Sequence, residues 1–156
     1  MDVVIRLASN ESELSAAYKL VCELADHEGS REQLKISEAM FLNAASGAKP
    51  KIHILVALIG DEIVGTVTYF QRFHIWNGSD IFELDDLFVS PKARGQGIGT
   101  KLLKALGQEA KTMGMPIKWQ VDAENHRAIA LYKKLGAQFS ASGLCFWLPE
   151  NMPEDN

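Results

Sequence analysis

The sequence predicts a single α/β domain built on a mixed, mostly antiparallel sheet. Short β-rich runs recur at residues 3–8, 53–59, 63–70 and 81–89. Helical apolar spacing fills residues 11–27 and 98–113. One strand–helix–strand succession over residues 81–121 calls for a parallel pair joined by a crossover, while the other strands follow one another closely enough to pair antiparallel.

The β-branched run Val3–Ala8 stops at Ser9-Asn10-Glu11, where Asn10 is placed to cap a helix and Glu13 to follow at its third position. Leu14, Ala17, Tyr18, Val21, Leu24 and Ala25 then repeat at helical spacing to His27, and Gly29-Ser30 ends the run. Ser37 caps a second helix reaching Ala45, with Ala39, Met40, Phe41 and Ala44 as its apolar positions. His53–Ile59 and Ile63–Phe70 flank Gly60-Asp61 as a hairpin, and Ile81–Val89 follows the Asn77-Gly78-Ser79 turn. A glycine-rich loop leads into a helix whose apolar face is Ile98, Leu102, Leu106, Ala110 and Met113, with Gly114 as its cap before Pro116. Ile117–Val121 is the parallel strand, and Asn125 opens a helix that runs to Leu135 and closes at Gly136. A last hairpin is expected from Ala137–Ser140 and Leu144–Leu148 around Ser142-Gly143. The domain is assigned to residues 1–148, with 149–156 as a frayed tail.

A chain of 156 residues with 47% hydrophobic and 23% charged residues has the composition of one globular domain. Sixteen Lys+Arg against twenty Asp+Glu give a net charge of -4, without the cationic excess of a nucleic-acid binder. There is no charged-then-apolar leader, and no apolar run approaches the ~20 residues of a membrane span. The expectation is a soluble cytoplasmic protein with neither nucleic acid nor membrane as partner. Cys22 and Cys145 lie far apart in apolar contexts; a disulfide is one reading, and two reduced core thiols are preferred over it. They have no metal spacing, nor do His53, His74 and His126, so no metal is expected.

The most informative segment is Arg94-Gly95-Gln96-Gly97-Ile98-Gly99-Thr100-Lys101, a glycine-rich turn between a strand and a helix. Glycines admit close approach to the backbone, and a helix N-terminus offers N–H groups and partial positive charge to an anion. A Walker loop requires Gly-Lys-Ser/Thr, whereas here the order is Gly99-Thr100-Lys101; a dinucleotide fingerprint requires G-x-G-x-x-G near the first strand. Both nucleotide readings fail on spacing. The stretch Arg94–Gly99 instead resembles the acetyl-CoA loop of the GNAT N-acetyltransferases. The helix from Asn125 through Tyr132 to Gly136-Ala137 is similar to that family's other signature, in the same order along the chain. Glu23-Leu24-Ala25-Asp26-His27-Glu28, Glu32-Gln33 and Leu84-Asp85-Asp86-Leu87-Phe88-Val89 extend the likeness from Ile5 to Leu148, toward the spermidine/spermine (diamine) and thialysine acetyltransferase branch. His27 and Leu144 stand where polyamine-acetylating members carry aromatic residues, and Ser142 replaces an acidic one.

The resemblance implies acetyl-CoA as donor, held by Arg94, Gly95, Gln96, Gly97, Ile98, Gly99 and Thr100, with Asn125, Tyr132 and the backbone of Leu87, Phe88 and Val89 contributing. It implies direct attack of a small primary amine on the thioester. A diamine or a lysine-like amine such as thialysine ranks ahead of polyamines, with His27, Glu28 and Asp85 facing the amine. Tyr132 is the proposed general acid, since a phenol keeps its proton at neutral pH and can give it to a departing thiolate. Asp85 is placed to draw in and deprotonate the amine; strand alternation puts Glu83 on its face and Asp86 on the other. The competing readings are a solvated strand end for these carboxylates and a core role for Tyr132. Trp76 is read either as a wall of the cleft or as a surface or subunit contact. Cys22 and Cys145 lack an activating neighbour, so an acetyl-cysteine route is not favoured. A non-catalytic acyl-CoA sensor and a protein or peptide acetyltransferase are the alternatives, and relatives of this branch imply a homodimer.

Overall fold

The computed structural model describes residues 2–154, which form two compact units dividing after Trp119. In the first, β1 (Val3–Leu7), β2 (His53–Ile59), β3 (Glu62–His74), β4 (Ser79–Val89) and β5 (Ile117–Lys118) make one sheet in sequential order. The first three pairings are antiparallel; β4 and β5 are parallel, joined through the helix α3 (Ile98–Met113).

Alternation along the strands feeds two apolar layers. Leu55 and Ala57 of β2, Val67 and Tyr69 of β3 and Phe82 of β4 meet Ile98, Leu102, Leu106 and Ala110 of α3. On the opposite face Ile54, Val56 and Leu58 of β2 meet Leu14, Ala17 and Val21 of α1 (Glu11–His27) and Phe41 of α2 (Glu38–Ala44). The caps fall where the sequence placed them. Asn10 Oδ1 accepts from the Glu13 amide at 2.9 Å, and Ser37 Oγ from the Met40 amide at 3.1 Å. Glu13 does more than cap. Arg6 Nη1 and Nη2 donate to its two oxygens at 2.8 and 2.5 Å and the Ser9 amide adds a bond at 2.7 Å, lowering the Glu13 carboxyl to about 2 and tying β1 to α1.

The docking of α3 turns on Gly65. A Cβ there would lie 3.0 Å from Leu102 Cδ1 and 3.4 Å from Ile98 Cγ2, so a side chain at this position would have to push these two residues of the helix back by a few tenths of an ångström. The loop that follows β4 is fastened by the Ser90 amide donating to the Val64 carbonyl at 2.7 Å.

Several expectations are corrected. The strands β3 and β4 run on past residues 70 and 81 as a two-stranded ribbon, because residues 71–74 pair with 79–82 beyond the last partner of β2. The strand β5 is two residues long rather than five. Residues 137–148 carry no strand among the described residues. Their short runs are separated by the weak β-formers Ser140-Ala141-Ser142-Gly143, and an isolated hairpin without a packed face is marginal in water. Cys145 is exposed and only Cys22 is buried; both are free thiols. Met113 is half exposed, since α3 ends there against the left-handed cap of Gly114. In the unit after Trp119, α4 (His126–Lys134) is capped by Asn125 Oδ1, which accepts from the Ala128 amide at 3.2 Å. The expected tail opens with a short 3-10 turn, Pro149–Asn151, and its last two positions lie outside the described residues.

Gly65→Val is expected to lower stability by about 1–3 kcal/mol through overpacking against α3. Gly107→Ala, on the same helix with no atom near its Cβ position, is expected to raise it by up to about 1 kcal/mol. Urea unfolding of the two variants beside the parent checks both directions.

Candidate active site

Two features converge on β4: a run of carboxylates and the loop that follows the strand. The strand is irregular between them. Thr68 pairs with Asp86 but Tyr69 pairs with Leu84, so Asp85 is an inserted, bulged residue. Leu84 before the bulge and Leu87 after it both pack on the α3 layer. Thr68 stands between Val67 and Tyr69, which face α3, and so points to the α1 side with its partner Asp86. The expectation that Asp85 and Asp86 oppose each other across the sheet is therefore corrected: the bulge resets alternation and puts the pair side by side.

Their environment is acidic; Asp86 is half-buried and Asp85 exposed. Asp86 donates its amide to Thr68 Oγ1 at 3.1 Å. Burial, and after it the charge of Glu28 just past the end of α1, push the Asp86 carboxyl above its ordinary range, against a smaller lowering by Thr68. The Asp85 carboxyl is raised as well, first by burial, then by Asp86 and Glu83. Glu83 itself is paired, its Oε1 accepting from Arg72 Nε at 2.5 Å. The carboxylates that attract a cation are thus Asp85, Asp86 and Glu28, while Glu83 is largely neutralised by its arginine. His27 is the exposed last residue of α1, next to Glu28. Trp76 and Ile75 stand almost fully exposed in the β3–β4 turn.

Past β4 the loop opens α3. Gly95 and Gly97 have φ of 79° and 72°, which an L side chain rarely adopts, and no atom lies within 4 Å of a Cβ built on either. Lys101 is the first amide to bond within the helix, onto the Gly97 carbonyl at 3.0 Å, so those of Ile98, Gly99 and Thr100 precede the first closed turn. These amides, the positive helix end and the exposed Lys101 and Lys104 suit a polyanion such as a diphosphate. Lys92 is committed to an ion pair with Glu62. Arg94 folds back on the strand: its Nε donates to the Val89 carbonyl at 3.1 Å and its guanidinium lies 5.3 Å from the centre of the Phe88 ring. Leu87 and Val89 pack with the core, and Phe88 is buried.

Asn125 and Tyr132 lie on or beside α4, in the unit after Trp119, Asn125 as its cap and Tyr132 half-buried two turns on. His53 stacks on Tyr69 at 5.3 Å. Among the described residues no group of three or more His, Cys, Asp or Glu is placed to hold a metal ion, and no helix is long and apolar enough to cross a membrane. An open groove lined by Asn10, Glu11, Ala39 and Asn43 lies at the other end of α1 from Glu28.

Sequence reasoning missed Thr68, Arg72 and Gly65. Thr68 looks like any strand threonine until the bulge is known, Arg72 lies beyond the expected end of its strand, and a strand glycine shows no helix contact.

The strand β4 thus carries a cluster of carboxylates and runs into a helix whose first amides precede its first closed turn. Comparison with known proteins sharpens this. Residues 15–137 match the acetyltransferase (GNAT) family, and the chain belongs to that family, an acyltransferase with its mixed α/β fold. The thialysine N-epsilon-acetyltransferase of Bos taurus is 37% identical over 145 residues, covering 87% of this chain and 84% of that one. The aminoalkylphosphonate N-acetyltransferase of Salmonella typhimurium is 32% identical over 110 residues, covering 70% of this chain and 68% of that one. A crystal structure of an aminoglycoside acetyltransferase from an uncultured soil metagenomic sample superposes with a TM-score of 0.76, covering 95% of this chain and 99% of that one; at 22% identity this is a likeness of fold.

An acid whose pKa is raised on folding favours the folded state below the ordinary carboxylate range and opposes it as pH rises through the raised value. Asp86→Asn is therefore expected to raise the urea midpoint at pH 7, with the gain vanishing as pH falls below about 4, the ordinary aspartate value. Unfolding curves across that interval check the sign.

Proposed function

We propose that this protein transfers the acetyl group of acetyl-CoA to a small primary amine by direct attack on the thioester. The observation that carries the reading is that Asp85 and Asp86, with Glu28 acting on Asp86, lie on the strand that runs into the glycine loop. An ammonium is drawn to carboxylates and a diphosphate to helix amides. The names of two relatives, whose acceptors are thialysine and an aminoalkylphosphonate, support a small amine over a protein.

Acetyl-CoA supplies an activated carbonyl with a thiolate leaving group. Asp85, with its raised pKa, takes a proton from the bound ammonium, directly or through water, and frees the nitrogen lone pair. The backbone at the end of β4, Leu87 to Val89, offers an N–H to the carbonyl oxygen as the new C–N bond forms. Tyr132 gives its hydroxyl proton to the sulfur as the C–S bond breaks, and the second proton released by the acetylated nitrogen restores the phenol through solvent, leaving the neutral N-acetyl amine and the free thiol. The roles of Tyr132 and Asn125 follow from their motif positions. The exposed Ile75 and Trp76 at the β3–β4 turn support the further proposal of a homodimer, which sedimentation velocity tests.

Gly97→Glu, which sets a carboxylate in the loop, is expected to abolish acetyl-CoA binding in calorimetry; equal affinity would remove the loop from the site. Tyr132→Phe is expected to retain binding and lose on the order of 10²-fold or more in turnover, with unchanged turnover returning Tyr132 to a packing role. Activity of the parent should rise with pH through the raised Asp85 value, because the base works ionised, and Asp85→Asn should remove that limb. Binding without thiol release from any amine would favour a sensor.

A further inference from the structure

On the α1 side of the sheet the charged residues continue outward along the β3–β4 ribbon, from Asp86 and Asp85 to Glu83 and then Arg72. Glu83 pairs across the ladder with Phe70, and Arg72 with Ile81, so the guanidinium reaches Glu83 diagonally. Arg72 Nε donates to Glu83 at 2.5 Å and Nη1 to the Phe73 carbonyl at 3.2 Å, which leaves Nη2 with no acceptor among the described residues. The side chains of Arg72 and Glu83 are 37% and 25% exposed, so the arginine is the more accessible member and its open edge can meet a ligand from solvent.

A cation at this place is unexpected if the acceptor were a long polyamine, whose second ammonium it would repel. It is well placed for an acceptor with opposite charges at its two ends. Glu83 and Asp85 are two residues apart, about 7 Å along the strand, a span of the order of an extended lysine-like amino acid. A guanidinium presents planar paired donors that fit a carboxylate or phosphonate.

We infer that Arg72 is a specificity-determining residue that reads an acidic group on the acceptor, exchanging Glu83 for that carboxylate or phosphonate while the amine lies against Asp85 and Asp86. This rests on the amine-acetylating reading above. Its acceptors are amino acids and aminophosphonates with a distal amine, and plain diamines are the poorer class.

The test compares two acceptors that differ in one group: thialysine and the diamine left when its carboxylate is removed. Thiol release from acetyl-CoA gives kcat/KM for each, and their ratio is read in the parent, Arg72→Gln, Arg72→Lys and Glu83→Gln. The parent should prefer thialysine. Arg72→Gln should cut the ratio tenfold or more, the effect of losing one charge-assisted contact, mainly through KM for thialysine, and Arg72→Lys should restore part of it. Glu83→Gln should raise the ratio by freeing the guanidinium. A ratio unmoved in Arg72→Gln, or a parent that prefers the diamine, overturns the role of Arg72 while leaving amine acetylation standing. Absence of thiol release from the parent with either acceptor overturns the underlying reading and this inference with it.

Discussion

The side of the sheet beneath α3 is an apolar layer, and β4 contributes Phe82, Leu84, Leu87 and Val89 to it. No strand of strict period two can present that series, because Leu84 and Leu87 would fall on opposite faces. Without an inserted residue Asp86 would follow Leu84 into the apolar layer, at a cost of several kcal/mol for an unpaired carboxylate. The bulge at Asp85 resolves the conflict: it keeps the leucines under α3 and delivers two adjacent aspartates to the other face. Hydrophobic packing thus decides where the acidic chemistry sits.

The same layer fixes the loop. Ile98 and Leu102, seated over Gly65, hold the first turn of α3 against β3, and Arg94 closes the intervening turn onto the Val89 carbonyl. The amides at the helix start and the aspartates on the strand are therefore parts of one rigid unit rather than of a mobile loop, the arrangement by which a site is preorganised. The aspartates work against folding at neutral pH, since burial and like charges raise both. The apolar layers on either side of the sheet offset that penalty.

Much of this was legible in the residues. Runs such as His53–Ile59 and the i, i+4 series Ile98, Leu102, Leu106 and Ala110 carry their period openly, and Asn10, Ser37 and Asn125 mark helix starts by residue type. The glycine loop was legible because positive φ demands glycine at Gly95 and Gly97. The bulge was not, because Glu83-Leu84-Asp85-Asp86 reads as ordinary alternation, and which residue is inserted depends on what β3 places opposite. Arg72 and Glu83 are unremarkable charges until the ribbon pairs their strands. The expected hairpin over residues 137–148 shows the converse error: local β-propensity promises a strand, but pairing has to supply it.

The chain keeps opposite charges in close quarters without letting them cancel. Asp85 and Val89 are four residues apart, about 13 Å along β4, more than the ~8 Å Debye length at physiological salt. The strand end that leads into the glycine loop and the aspartates of the bulge are therefore separated by more than one screening length where solvent reaches. Each can act on a ligand in contact with it. The nearer cation, Arg72, lies within reach of the aspartates, and there the chain supplies Glu83 as its partner. Spacing separates one pair of charges and direct pairing quiets the other, so the field at the aspartates stays negative despite a near-even count of basic and acidic residues overall.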